Sequence, residues 1–337
     1  MSVYGHIRRR ALSVYEQINA LPPAGIDKLL TKKIWTTALA FVMVIACATS
    51  ASAQLAPVPK PDPDTSAATG APQGSSSALS ASELAKEISN PVTSIWQLQF
   101  QFNNVKLESG NLNPVSGKWV NNLYFQPVMP VSLTKDINLI TRPVITLYNS
   151  VPHPTATGGS KRTTTFGDMI LATVFSPAHT EPWIFGVGPT WIFPTAGSDF
   201  TGQGKWQVGP AVGGGYITDK FMIAALAQQW WSFAGDANRK DTSQLNLLPL
   251  IYRFFGDGWS VGYSGNILAD WKASGGNVWT VPLGLSVGKV IKFGMLPVQV
   301  QIAGQYFVER PEFGPKWNVQ LQVTPVIPRL IKKTLFQ

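Results

Sequence analysis

The sequence predicts an all-β protein, namely an antiparallel transmembrane β-barrel of about twelve strands that follows a signal peptide, a disordered linker and a short helix. Three observations predict this class. Only 13% of the 337 residues are charged, whereas soluble domains carry about 25%. After the N-terminal region, no apolar run approaches the ~18 residues of a membrane helix. From Val92 onward, apolar and polar residues alternate, as they do along strands with two different faces.

The N-terminal residues 1–53 have the pattern of a secretory signal peptide. A basic stretch precedes an apolar run that ends at Cys47, and a small-residue site predicts cleavage between Ala53 and Gln54. Because Cys47 also completes a loose lipobox, cleavage before it with lipid attachment is the alternative. Residues 1–53 hold six basic and two acidic residues, so their removal lowers the formal charge from +9 to +5. The basic balance is therefore weak evidence for nucleic acid, and we predict no such partner.

A linker and a short helix are predicted next. Residues 54–80 are rich in Pro, Ala, Ser and Gly, a composition that cannot bury a core. Ser80 and Glu83 then form a capping-box pattern, and Pro91 ends a helix of about two turns. We therefore place a short periplasmic helix at residues 81–90. It is either a periplasmic spacer with no role in transport, which we favour, or a partial plug of the lumen.

The alternation places apolar side chains on lipid and polar side chains in a lumen. The polar rows consist mainly of uncharged Gln, Asn, Ser, Thr and Gly, whereas a surface facing water would carry many Lys and Glu. The strands are also long, about ten residues or more, as a tilted membrane crossing requires. Tryptophans gather near one set of strand ends, as in an interfacial girdle: Trp119, Trp206, Trp231, Trp271, Trp279 and Trp317.

The barrel is predicted to occupy residues 91–328, followed by a basic C-terminal tail at 329–337. Joins after odd strands are longer than joins after even strands, the asymmetry of outside loops and periplasmic turns. Prolines inside the strands predict bulges or kinks, because proline cannot donate to a β-ladder: Pro127, Pro130, Pro143, Pro189, Pro210, Pro249 and Pro282. The predicted strands lie near 92–104, 119–132, 137–149, 166–176, 183–193, 206–218, 221–233, 243–255, 259–271, 278–289, 297–308 and 317–327.

The inward positions of these strands supply the candidate site. Arg142 and Asp168 fall inward on adjacent strands, where charge avoids the lipid face. They are either a constriction that orients solutes or, as we favour, an ion-pair network that stiffens the lumen. The candidate lumen-lining residues are Gln97, Gln99, Gln101, Arg142, Asp168, Asn266, Asp270, Gln299, Gln301, Gln320 and Gln322.

From Glu83 to Pro328 the chain resembles the bacterial outer-membrane proteins grouped with the meta-pathway of phenol degradation, which are described as transporters. The resemblance is carried by stretches such as ELAKEISNPVTSIWQLQFQFN, WIFGVGPTWIFPTA and QYFVERPEFGPKW. It implies a barrel and a role in the uptake of small organic or aromatic compounds. It brings no catalytic or binding residues to this sequence.

The sequence shows no recognisable catalytic or metal-binding pattern. His153 and His179 have no hydrolase spacing to a Ser and an acid, and no Cys/His metal pattern occurs. We therefore predict no enzyme, no metal and no cofactor. The predicted function is a bacterial outer-membrane channel for passive passage of small solutes, including hydrophobic or aromatic compounds. The alternatives are a structural or surface-binding barrel and, less favoured, a lipid hydrolase.

Three partners are expected for such a channel: outer-membrane lipid, small-molecule solutes and the barrel assembly machinery. The sequence leaves the oligomeric state open.

Overall fold

A computed structural model of the protein describes residues 79–108, 115–155, 157–294, 296–312, 314–328, 331, 334 and 335. The predicted signal peptide, its cleavage site at Ala53 and Gln54, and nearly all of the linker lie outside the described residues, as does most of the tail at 329–337. Within the described residues, no helix combines the length and the hydropathy of a membrane span.

The described chain contains one α-helix followed by β-strands. Two short 3-10 turns, at Gly256–Gly258 and Gly275–Asn277, interrupt the strands. The elements are α1 (Ala81–Ser89), β1 (Trp96–Leu107), β2 (Trp119–Ser132), β3 (Ile137–Pro154), β4 (Ser160–Phe166), β5 (Met169–Pro177), β6 (Trp183–Phe193), β7 (Lys205–Ile217), β8 (Phe221–Gly235), β9 (Ser243–Phe254), β10 (Trp259–Tyr263), β11 (Ile267–Asp270), β12 (Trp279–Phe293), β13 (Leu296–Glu309) and β14 (Pro315–Ile327).

The strands close into an antiparallel barrel. Neighbours in the chain pair with each other, and β1 pairs with both β2 and β14, with Trp96 opposite Ile327. β4 and β5 pair with successive parts of β3, and β10 and β11 each pair with both β9 and β12. Each of these two pairs of segments therefore forms one barrel strand. The 14 segments make a closed barrel of 12 strands, which confirms the predicted fold class.

The two faces of the barrel wall have opposite character. Along β6, Trp183, Phe185 and Val187 are 62%, 49% and 57% exposed, whereas Ile184 between them is 4% exposed. Large apolar side chains thus point away from the barrel axis, and the intervening positions point inward. A water-soluble barrel would have the reverse arrangement, because burial of apolar surface drives its folding. The exterior is therefore one that hydrocarbon would cover.

Aromatic side chains mark both rims of this exterior. The rim at which β1 begins and β14 ends, here called the helix end, has exposed Trp183, Trp259, Phe221, Phe255 and Phe293. The opposite rim, here called the loop end, carries the longer connections. Its half-exposed tryptophans are Trp206, Trp231, Trp271, Trp279 and Trp317.

The strands differ from the prediction at several places. The expected loop at 150–165 is wrong, because β3 continues to Pro154 and pairs with β4. Ser150 takes a positive φ of 63° at the register shift between Tyr148 and Val151, which lets the hairpin continue past an irregular point. The predicted strand at 259–271 is interrupted at residues 264–266. β1 begins at Trp96, after a turn in which the N–H of Thr93 donates to the carbonyl of Asn90.

The prolines interrupt strand pairing more often than they shift the strand register. The register shifts at Pro282, as predicted. Between β7 and β8, pairing skips from Val208 to Ala211, around Pro210, and resumes in the same register. A missing N–H removes a hydrogen bond without adding a residue, so it need not create a bulge. The ladders show no register shift at Pro127, Pro130, Pro143, Pro189, Pro210 or Pro249, so no bulge forms there, and kinks at these prolines stay a prediction.

Candidate functional site

Helix α1 lies inside the barrel at the helix end. The predicted capping box is present, since the Ser80 side chain accepts the N–H of Glu83 and the Glu83 carboxylate accepts the N–H of Ser80. Leu84, Ala85 and Ile88 form one apolar face that is almost completely buried. This face packs on inward side chains of five strands: Ile184, Ile217, Met222, Ala224, Leu250, Tyr252, Phe254 and Val290.

This packing explains why so short a helix is stable. An isolated helix of about nine residues is marginal in water, whereas burial of a Leu or Ile side chain contributes roughly 1.5–3 kcal/mol. The helix therefore depends on its apolar face being covered by the barrel wall. Its position in the lumen agrees with the alternative of a partial plug. Whether the helix has a role in transport stays a prediction.

Lys86 ties the helix to two short turns of the helix end. Its Nζ lies 3.1 Å from Glu181 Oε2 and 3.5 Å from Asp219 Oδ1. Burial by itself lowers the pKa of Lys86, but the hydrogen bond and charge of Glu181, together with Asp219, outweigh burial and raise that pKa. Lys86 therefore keeps its positive charge, and the pairs persist, throughout the neutral range.

A cavity of about 290 Å³ occupies the lumen beyond the helix. Ile88, Asn90 and Pro91 line it at the helix end, and Gln203 lines it toward the loop end. All the sequence-predicted lumen residues are among its lining: Gln97, Gln99, Gln101, Arg142, Asp168, Asn266, Asp270, Gln299, Gln301, Gln320 and Gln322. Whether any of them binds a solute stays a prediction.

Sequence reasoning missed several lining residues. Gln126, Gln228 and Gln244 also line the cavity, and each lies at an inward position that alternation could have identified. Gln203 belongs to the connection between β6 and β7, so no strand pattern marks it. The helix residues were missed because a periplasmic spacer was favoured over a plug of the lumen.

The cavity wall has a polar arc and an apolar arc. Strands β13, β14, β1 and β2, which are neighbours in the sheet, contribute a row of glutamines. Strands β5, β6, β8 and β9 contribute aliphatic side chains, together with the polar Gln228, Gln244 and Asn246. The amide arc comprises Gln299, Gln301, Gln320, Gln322, Gln97, Gln99, Gln101 and Gln126, and the apolar arc comprises Ile170, Ala172, Ile192, Leu226, Leu248 and Leu250.

Arg142 is bonded to amides. Its Nη2 donates to Gln126 Oε1 at 2.7 Å and to Gln99 Oε1 at 3.2 Å. Gln126 Nε2 in turn donates to Gln101 Oε1 at 3.1 Å. Across the part of the chain that the structure describes, no carboxylate forms an ion pair with Arg142. The favoured interpretation, an ion-pair network joining Arg142 and Asp168, is therefore wrong.

Asp168 is engaged nearer the loop end. Its carboxylate accepts the backbone N–H groups of Gln203 at 2.6 Å and Ala196 at 3.2 Å. On the ladder, Arg142 faces Ala172, and Asp168 lies four residues earlier in the chain, directly before β5. At about 3.4 Å per residue, this offset places the two backbones roughly 14 Å apart along the strand direction. The alternation in the sequence showed that both side chains point inward. It did not show how far apart they lie along the barrel axis.

Residues 196–204 fold inward at the loop end. Gln244 Nε2 donates to Gln203 Oε1 at 3.1 Å and to Gln207 Oε1 at 2.8 Å. The guanidinium of Arg239 donates to the carbonyl of Gln203 at 3.2 Å and also to that of Gly202. Asp168, Gln244 and Arg239 thus hold this connection, here called the inner loop, across part of the lumen mouth.

The remaining candidates occupy separate places on the wall. Asp270 accepts the N–H of Lys272 at 2.9 Å at the loop end. Gln301 Nε2 donates to the Tyr252 hydroxyl at 3.4 Å. Asn266 lies in the gap between β10 and β11.

The lipid-type exterior, the closed ladder and the polar interior together define a transmembrane β-barrel with an internal cavity. No protein-family model matches the sequence, and no curated protein matches it either. The resemblance to the phenol meta-pathway group therefore stays a prediction.

Solved structures of outer-membrane channels show only a distant similarity. An outer-membrane channel from Pseudomonas putida F1 is 16% identical, with a TM-score of 0.49 over 69% of this chain and 94% of that chain. The Pseudomonas putida toluene transporter TodX is 12% identical, with a TM-score of 0.36 over 72% and 92%. The monoaromatic hydrocarbon channel CymD is 9% identical, with a TM-score of 0.36 over 74% and 91%. Similarity at this level carries no information on function.

Proposed function

We propose that this protein is a bacterial outer-membrane channel for the passive passage of small solutes, including hydrophobic and aromatic compounds. The observation that carries the proposal is the lumen cavity of about 290 Å³, with amides on one arc and aliphatic side chains on the other. Cavities that bind small molecules are commonly about 300–1,000 Å³ and mostly apolar, with a few polar groups that orient the ligand. The cavity has this character.

The exterior supports the proposed membrane setting. A barrel whose outward positions are apolar and whose two rims are aromatic fits the hydrocarbon core and the two interfaces of a bilayer. With the signal peptide expected from residues 1–53, the helix end faces the periplasm and the loop end faces the exterior. The proposed partners are outer-membrane lipid, the solutes and the barrel assembly machinery; nucleic acid is not among them.

Reconstituted protein tests the channel. Full-length protein that shows a heat-modifiable gel shift is placed in liposomes, and uptake of radiolabelled benzyl alcohol and of glycerol is compared with uptake by protein-free liposomes. We expect both solutes to enter faster with the protein. Folded protein that leaves both rates unchanged would contradict the proposal.

A structural or surface-binding barrel is the second candidate. The observation that favours it is helix α1, whose apolar face closes off part of the lumen at the helix end. Displacement of the helix discriminates between the candidates, because a channel with a displaceable helix should conduct more and a structural barrel should not.

We propose no enzymatic activity and therefore no metal and no cofactor. The His153 ring stacks on Phe200 with centroids 4.1 Å apart, and its Nε2 lies 3.1 Å from Thr163 Oγ1. These contacts support a role for His153 in packing the hairpin formed by β3 and β4. A His153→Gln variant should therefore show the lipid hydrolysis rate of the parent, at background level.

A further inference from the structure

We propose that Arg142 is the anion-binding residue of the lumen and that the preferred solute is a small hydrophobic carboxylate. The inference deepens the proposed function and rests on it. It assigns a chemical class to the ligand: one carboxylate group on an aromatic or aliphatic body that fits a cavity of about 290 Å³.

The first support is the unused donor capacity of Arg142. A guanidinium has five N–H groups in a planar fork and is always protonated. The hydrogen bonds of Arg142 to Gln99 and Gln126 both start from Nη2, and its buried Nε has no partner. Within the part of the chain that the structure describes, the partners of this enclosed guanidinium are neutral amides and no counter-charge pairs with it. A ligand carboxylate would supply that charge: it would accept a charge-assisted hydrogen bond from Nη1, and a second one from Nη2 by displacing one amide oxygen.

The second support is the surrounding amide network. Gln99 and Gln126 hold the guanidinium through their carbonyl oxygens, and Gln101 accepts from Gln126. These hydrogen bonds fix the orientation of Arg142, and the side chains that accept them are uncharged. The site therefore needs little reorganisation when an anion arrives, and a preorganised site binds more tightly than a mobile one.

The third support is the position of β3 in the wall. In the sheet order, β1 and β2 of the amide arc lie on one side of β3, and β5, β6, β8 and β9 of the apolar arc lie on the other. Ala172 of the apolar arc is the ladder partner of Arg142. A carboxylate on Arg142 thus places its attached body beside Ala172 and Ile170, where burial of apolar surface is favourable. A neutral hydrocarbon would leave the guanidinium unpaired, and a small inorganic anion would leave the apolar arc unused.

The acidic residues of the lining lie apart from this point. The Asp168 carboxylate accepts hydrogen bonds from the N–H groups of Ala196 and Gln203, and Asp270 accepts one from the N–H of Lys272. Both lie toward the loop end. An anion that reaches Arg142 is therefore separated from them along the barrel axis.

A binding and transport experiment tests the inference with benzoate and its neutral counterpart benzyl alcohol. Binding to full-length protein in detergent is measured by isothermal titration calorimetry, and uptake is measured in proteoliposomes. The variants are Arg142→Met, which removes the charge, and Arg142→Lys, which keeps the charge without the fork. Arg253→Met is the matched control, because it makes the same substitution at an exposed arginine of β9 that lies over the Phe255 ring, outside the cavity lining. A heat-modifiable gel shift establishes that each variant has folded.

We expect Arg142→Met to weaken benzoate binding about tenfold or more, as loss of a charge-assisted hydrogen-bond pair implies. Benzyl alcohol uptake should stay within about twofold of the parent, Arg142→Lys should bind benzoate with intermediate affinity, and Arg253→Met should leave benzoate binding unchanged. Equal benzoate binding by the parent and a folded Arg142→Met, or no benzoate binding by the parent, would overturn the inference. Benzoate binding without uptake of either solute would instead contradict the channel and leave the anion site standing.

Discussion

At the scale of single residues, an ion cluster joins the first and last barrel strands at the loop end. Glu108, directly after β1, accepts from Lys316 Nζ at 2.9 Å and also pairs with Arg310. Burial raises the pKa of Glu108, but the hydrogen bonds from Lys316 and Arg310 more than offset burial, so this pKa lies below its ordinary value of 4.5. A carboxyl with a lowered pKa stabilises the folded state above its unfolded pKa, and that contribution is lost as the pH falls through the folded pKa.

The predicted consequence is a pH-dependent effect of Glu108→Gln. At pH 7 the substitution should lower the free energy of unfolding by up to about 1 kcal/mol, because partly exposed ion pairs contribute little more. The difference from the parent should shrink as the pH falls below 4.5. Urea unfolding followed by tryptophan fluorescence measures it. Glu312→Gln, an exposed change in the connection between β13 and β14, is the control. An equal loss in both variants would contradict a specific role for Glu108.

Only part of the residue-scale geometry could be read from the sequence. The inward orientation of Arg142 follows from strand parity, which depends on the backbone alone. Its partners Gln99 and Gln126 lie on β1 and β2, so the pairing depends on strand register and rotamers. Strand parity placed Arg142 and Asp168 on the inward face of adjacent strands and so predicted an ion pair. The fold separates the two residues along the barrel axis.

At the scale of elements, helix α1 is the part whose role depends most on packing. We predict that the double substitution Leu84→Asn, Ile88→Asn displaces the helix and raises channel conductance in planar bilayers at least twofold. The physical reason is that each buried aliphatic side chain stabilises the seated helix by roughly 1.5–3 kcal/mol, whereas a buried unpaired amide destabilises it. Single-channel recordings at fixed salt provide the measurement.

Ser82→Asn is the matched control, since it introduces the same side chain at a half-buried position of α1 outside the apolar face. Its conductance should equal that of the parent. An unchanged conductance in the folded double variant would show that the helix does not restrict the lumen.

The capping box and the terminating proline made the helix predictable, because both act within a few residues of chain. The surface on which the helix packs was not predictable. The apolar face of Leu84, Ala85 and Ile88 needs a partner surface, but the sequence does not name one. That surface comes from β6, β7, β8, β9 and β12, more than 90 residues further along the chain.

At the scale of the whole molecule, the apolar exterior should tolerate charge only near its rims. We predict that Leu285→Arg lowers the stability of the folded barrel in bilayers by about 2–4 kcal/mol, the cost of a basic residue near the midplane. Leu285 is 58% exposed and lies at the middle of β12. The folded fraction in liposomes, measured as the heat-modifiable band across a urea series, reports the change.

Phe293→Arg is the control for this prediction. Phe293 points outward from the same strand and is 47% exposed, but it lies at the helix-end rim. Its replacement should cost no more than about 1 kcal/mol, because basic residues are tolerated near the interface. Equal losses in the two variants would contradict the assigned depth of the barrel in the membrane.

The sequence by itself determined the fold class and the face to which each strand residue belongs. Both follow from a period of two in side-chain direction and from the need to pair every backbone group in hydrocarbon. The tertiary structure alone decided three further features. These are the position of α1 against the inner wall, the inward fold of the inner loop and the separation of Arg142 from Asp168 along the barrel axis. Each depends on contacts between residues far apart in the chain, which meet only because the strands close into a barrel with one particular register.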